Sequence, residues 1–160
     1  MSAPIDNSFL GRVQRMALAI AGTALVGVAA VQAWQVFARY VLNDSPGWTE
    51  PVALLLLATA MSLAAGSAVR TRSHFGFYVL VEASRPGAAR ILRALADVAM
   101  AAVGGTLATY GALLFTDGLD VTMAGTVLPQ GLPFLPITIG GALMLVFALE
   151  RLFSRNEARA

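Results

Sequence analysis

Met16-Ala-Leu-Ala-Ile-Ala-Gly-Thr-Ala-Leu-Val-Gly-Val-Ala-Ala-Val-Gln-Ala-Trp-Gln-Val-Phe37 decides the fold class of this chain. The run carries no charge, and at about 1.5 Å per residue it can cross a hydrocarbon layer about 30 Å thick as one helix. Arg12 and Arg15 stand before it, and Trp34, Phe37 and Tyr40 mark an aromatic belt at its far end. Three more runs follow, at about 51–69, 93–115 and 133–153. Residues 1–160 therefore read as a single integral membrane domain. The expected fold is all-α, with four transmembrane helices and a short interfacial helix between spans two and three.

Composition agrees. Hydrophobic residues make up 58% of the 160 and charged residues 12%, with a mean hydropathy of +0.72. Soluble domains carry about twice that share of charge. The pI near 9.7 does not point to nucleic acid, because every basic residue is an arginine scattered between apolar runs, with no basic and aromatic surface. Span one could be mistaken for a secretory signal, with Val31-Gln32-Ala33 as a cleavage site. Signal cores are about 7 to 15 residues long, and this longer run is expected to be retained.

Lys and Arg beside membrane helices stay in the cytoplasm, so the arginines orient the chain. Arg12 and Arg15 precede span one; Arg70, Arg72, Arg85, Arg90 and Arg93 lie between spans two and three; Arg151, Arg155 and Arg159 follow span four. Arg39 alone falls on the other side, with Asp44, Glu50, Asp117 and Asp120. The chain is expected to be multi-pass, with both termini cytoplasmic. Between spans two and three, Phe77, Leu80, Val81 and Ser84 follow an i, i+3, i+4, i+7 pattern suited to an interfacial helix, and Pro86 suits the first turn of the next helix. The stretch from Asp117 to Leu132 is rich in Gly and Pro and reads as an irregular outer segment.

The residue inventory excludes several chemistries. Without Lys there is no P-loop, and without Cys no disulfide, thiol nucleophile or Cys-ligated metal. One histidine, His74, cannot supply paired haem ligands or a buried catalytic base. The carboxylates do not converge in sequence. No enzyme activity, cofactor or metal is expected. Asp97, about one turn inside span three, is the sharpest candidate for a proton site, since ionisable groups within spans are functional by default. Its competing role is structural, as an i, i+4 ion-pair partner of Arg93.

Membrane helices associate through small residues and interhelical hydrogen bonds. Ala101, Gly105, Ala108 and Ala112 form one such stripe in span three, Thr59, Ser62 and Gly66 another in span two, and Gln32, Gln35 and Arg39 a polar one in span one. These stripes fit packing within a bundle or contact with a partner membrane protein. The turn from Phe37 to Pro51 joins interface aromatics to a compact polar corner. Thr49 is expected to cap the second helix, Glu50 to benefit from its dipole, and Arg39 to pair with Glu50.

Arg39-Tyr40-Val41 with Asn43, Trp48-Thr49-Glu50, the set Arg70, Arg72 and His74, and the ending Leu149-Glu150-Arg151 together resemble the small permease subunit of tripartite ATP-independent periplasmic (TRAP) transporters, the DctQ-like family. The resemblance covers nearly the whole chain and lies in the order and spacing of these motifs. The chain departs from the pattern at Pro51, where a second acidic residue is common, and at Tyr78, where an Asp is frequent. Membership implies a non-catalytic subunit that scaffolds a large permease subunit for sodium-coupled uptake of an organic acid delivered by a periplasmic solute-binding protein. On that reading Arg39, Tyr40, Asn43, Trp48, Thr49, Glu50, Arg70 and His74 are family-motif or partner-interface residues. Membrane lipids are the remaining partner and nucleic acid is not one. The alternative is a self-sufficient homodimeric four-helix carrier using Asp97.

Overall fold

A computed structural model of the chain describes residues 8–71 and 86–157. The expected interfacial helix at 75–84 and His74 lie outside them. Four helices are present among the described residues: α1 (Phe9–Tyr40), α2 (Thr49–Thr71), α3 (Pro86–Asp117) and α4 (Phe134–Glu157). All four are long and apolar enough to cross a membrane. They extend past the apolar runs, because a helix continues into water once its side chains turn polar. Helices α1 and α3, with 32 residues each, are about 48 Å long at 1.5 Å per residue, well beyond a 30 Å core. Helix α1 opens on Ser8, whose hydroxyl accepts from the Gly11 amide at 3.1 Å. It ends where Asn43 takes a left-handed φ of 52°, a conformation Asn tolerates, and the Asp44 amide turns back to the Ala38 carbonyl.

The helices pack as an open row in the order α1, α2, α4, α3. Burial follows that order: 33% of the apolar window is buried in each inner helix, against 17% in α1 and 11% in α3. The inner position of α4 rests on two adjacent glycines. A Cβ on Gly140 would stand 2.5 Å from the Ser62 carbonyl oxygen of α2, and one on Gly141 would stand 2.6 Å from the Ala108 amide of α3. Neither leaves room for a side chain, so backbones touch on both sides of one helix, as close packing in lipid requires. Gly66 of α2 completes the first contact, and Gly104 and Gly111 of α3 complete the second.

The expected stripe in span three packs on α4 in part, with Ala101 beside Phe147 and Ala108 against Gly141. Gly104 meets α4, whereas a Cβ on Gly105 would meet nothing within 4 Å. The span-two stripe does pack, but through size. The Thr59 and Ser62 hydroxyls donate within their own helix, to Leu55 and Ala58 carbonyls, at 2.8 and 2.6 Å.

At the arginine-rich end the row gathers around Phe147 of α4, fully buried with Val69 and Ala148 and flanked by Leu10 and Val13 of α1 and Met100 and Ala101 of α3. Gly140→Ala or Gly141→Ala should lower the stability of the purified protein by about 1–3 kcal/mol, the cost of overpacking a tight contact. Gly105→Ala should be neutral or slightly stabilising. Unfolding in mild detergent checks the contrast.

Candidate functional site: two ends of a helical row

Glu150 and Arg151, adjacent on α4, organise the arginine-rich end. Arg70 of α2 grips Glu150 bidentately, with Nε to Oε2 and Nη2 to Oε1 both at 3.1 Å. Its remaining donors reach Gln14 Oε1 and Ser8 Oγ of the α1 end, each at 3.2 Å. The guanidinium also lies 5.7 Å from the centroid of the Phe147 ring. One arginine thus joins α1, α2 and α4, a task suited to a planar fork with five donors. Only the Arg70 part of this cluster carried a family motif together with Glu150. Gln14 and Ser8 gave no sequence signal, being single polar residues in a helix end.

Arg151 makes the second connection. Its Nη2 lies 2.8 Å from Asp97 Oδ1 on α3, and its Nη1 donates to the Val69 carbonyl of α2 at 2.7 Å. The Val69 carbonyl belongs to the last turn of α2, where helix acceptors lack intrahelical partners. Asp97 is almost wholly buried. It pairs with Arg151, while the expected partner Arg93 donates its Nε to the Ala89 carbonyl at 3.0 Å. The i, i+4 rule finds the nearest opposite charge along one helix, and here a charge on the neighbouring helix faces the carboxylate instead.

At the other end the corner between α1 and α2 meets the outer segment between α3 and α4. Thr49 is fully buried and begins α2. Its hydroxyl donates to the Pro46 carbonyl at 2.8 Å, so it pins the turn from within rather than capping the helix. Arg39 and Glu50 do not pair; Arg39 Nη2 donates to Ser45 Oγ at 3.3 Å, and Glu50 occupies the first turn of α2. Tyr40 and Trp48 are exposed, and the Trp34 and Phe37 rings lie 5.9 Å apart on α1, as interface aromatics do. The outer segment is held by the amides of Met123 and Gln130, which donate to the Leu128 and Val121 carbonyls. Its Gly125, at a φ of 80°, lies against Gly47 of the corner, where a Cβ would be 2.6 Å from the Gly47 oxygen. Among the described residues no group of three His, Cys, Asp or Glu could hold a metal.

An open row of four apolar helices, closed by ion pairs at one end and by a backbone-pinned corner at the other, defines a multi-span membrane protein. Its sequence matches the family described as tripartite ATP-independent periplasmic transporters, DctQ component, over residues 28–157. That match covers most of the chain, and the chain belongs to this family. No curated protein matches it closely.

Removing Arg151 while leaving Asp97 should cost about 3–5 kcal/mol, because a buried carboxylate loses its counter-charge. The double variant Asp97→Leu, Arg151→Leu should recover a large part of that loss. A double-mutant cycle in detergent-solubilised protein measures the coupling.

Proposed function

We propose that this chain is the small, non-catalytic membrane subunit of a TRAP-type secondary transporter, scaffolding the large permease subunit. Uptake in the assembled system is sodium-coupled, and its cargo is an organic acid delivered by a periplasmic solute-binding protein. The open row is the observation that carries the reading. Among the described residues the helices meet in three neighbouring pairs, α1 with α2, α2 with α4 and α4 with α3, and both outer helices are left mostly uncovered. They offer broad lateral surface, which suits a brace that enlarges a partner in the membrane plane. The family description supports the same conclusion by naming the chain a component of a tripartite system.

The arginine distribution supports a cytoplasmic location for both termini in a bacterial inner membrane. The corner then faces the periplasm. The homodimeric carrier reading requires Asp97 to exchange protons with water. Burial of Asp97 with its carboxylate 2.8 Å from Arg151 of the next helix favours a structural role in joining α3 to α4.

A tagged copy extracted in mild detergent should co-purify with a larger membrane protein, and deletion of the chain should abolish uptake. Asp97→Asn should leave uptake in cells within about threefold of wild type, because the amide still accepts from Arg151. Loss of uptake at normal complex yield would instead support the carrier.

A further inference from the structure

Helix α1 forms one edge of the row, and only 17% of its apolar window is buried. Besides the face that meets α2, it carries a second seam. Leu18, Gly22, Leu25, Ala29, Gln32 and Val36 are all exposed and follow one another at alternating steps of four and three residues. That spacing is the period of about 3.5 residues by which two helices wrap along a common line. A Cβ on Gly22 would meet nothing within 4 Å, so no contact among the described residues accounts for a glycine inside this helix, where it weakens helical structure.

Gln32 is the decisive residue. It lies five residues before Phe37, about 8 Å along the axis and inside the apolar run. Side chains lean toward the N-terminus of their helix, which in α1 is the arginine-rich end, so this carboxamide leans away from the nearer interface and into hydrocarbon. It takes part in no hydrogen bond among the described residues. Exposed threonines on the two outer helices differ: Thr23, Thr106 and Thr109 donate to carbonyls four residues back, at 2.9, 2.9 and 2.8 Å. A carboxamide without partners in lipid is costly, because no water is there to replace them. A hydrogen-bonding group on another membrane helix removes that cost.

Symmetry identifies that helix. A carboxamide both donates and accepts, so it is its own complement. Two copies of one chain inserted in the same direction run parallel, and a two-fold axis along the membrane normal brings identical residues face to face. Gln32 then meets Gln32 of the second copy at the same depth. Gly22 and Ala29 let the backbones approach, and one polar residue in an apolar seam fixes the register. An unrelated helix would need a polar group at that same depth and place in the seam. Arg15 and Arg39, one step beyond the seam at either end, stand outside the apolar run, where headgroup phosphates separate like charges.

From these observations we infer that α1 is the contact between two copies of this chain, a parallel pair held along the seam from Leu18 to Val36 with Gln32 bonded to Gln32. On the brace reading α3, at the opposite edge of the row, remains for the large subunit, so the pair joins two transporters. Distances within one chain are then measured on labelled copies diluted in unlabelled ones.

The chain has no cysteine, so one introduced thiol can form a disulfide only with another molecule. In membrane vesicles from cells expressing the whole transporter, oxidation should join Leu25→Cys, Ala29→Cys and Val36→Cys chains at twice the chain mass. Val26→Cys, Ala30→Cys and Ala33→Cys, exposed but about 100° round the helix, should stay largely single. For the purified full chain in lipid vesicles, energy transfer between copies should show Gln32→Leu raising the dissociation constant about threefold to thirtyfold, the span of interhelical hydrogen bonds in lipid. Equal cross-linking in both sets, or none in either, would overturn the inference, as would a dissociation constant that Gln32→Leu leaves unchanged. So would a cross-link from Leu25→Cys to a larger protein, or loss of the large subunit from the Gln32→Leu complex, since either assigns the seam to the large subunit.

Discussion

Helix α4 has to serve two neighbours, and it does so with adjacent residues. Gly140 admits the backbone of α2 and Gly141 that of α3. Three turns further on, Glu150 binds Arg70 of α2, and Arg151 binds Asp97 of α3. Consecutive residues on a helix point about 100° apart, so a doublet addresses two partners at once. Lipid provides no hydrophobic drive for helices to associate, and close backbone contact and paired charges must supply the specificity. With α4 so placed, α1 and α3 become outer helices, and the surface left uncovered is wide. The brace proposed for the transporter depends on that geometry.

The two ends differ in character for the same physical reason. At the arginine-rich end, charge lies close to hydrocarbon and is neutralised pair by pair, leaving Asp97 almost wholly buried. The opposite end is held by backbone amides, the Thr49 hydroxyl and a glycine contact, none of which consumes charge. Its carboxylates are consequently free to act on the surroundings as a field.

The four spans were legible in the sequence because a bilayer imposes a length and forbids unpaired charge over that length, and both requirements show in a single chain. Helix ends were less legible. Counting apolar residues stops at Met16, while α1 begins at Phe9; the start of α3 at Pro86 is where the proline itself points. The motif residues at the corner drew attention to the right region, and Glu50 stands in the first turn of α2 as expected, yet Arg39 does not pair with it and Thr49 does not cap the helix. Local rules supply a nearest partner, and the folded corner supplies another, Ser45 for Arg39 and Pro46 for Thr49. The choice between Gly104 and Gly105 depends on the rotation of α3 against α4, and the pairing of Asp97 with Arg151 depends on which helix α3 adjoins. Both are properties of a pair of helices, and no single-helix pattern contains them.

The central claim is that the helices form an open row with α1 and α3 at its ends. Spin labels on cysteines replacing Val26 of α1 and Val103 of α3, both exposed, would report it directly by pulsed dipolar spectroscopy in lipid. With neighbouring axes about 8–10 Å apart, three intervals separate the outer helices, and the distance should centre at about 20 Å or more. A distribution centred near 10–12 Å, the spacing of helices in direct contact or across a closed four-helix bundle, would contradict the account.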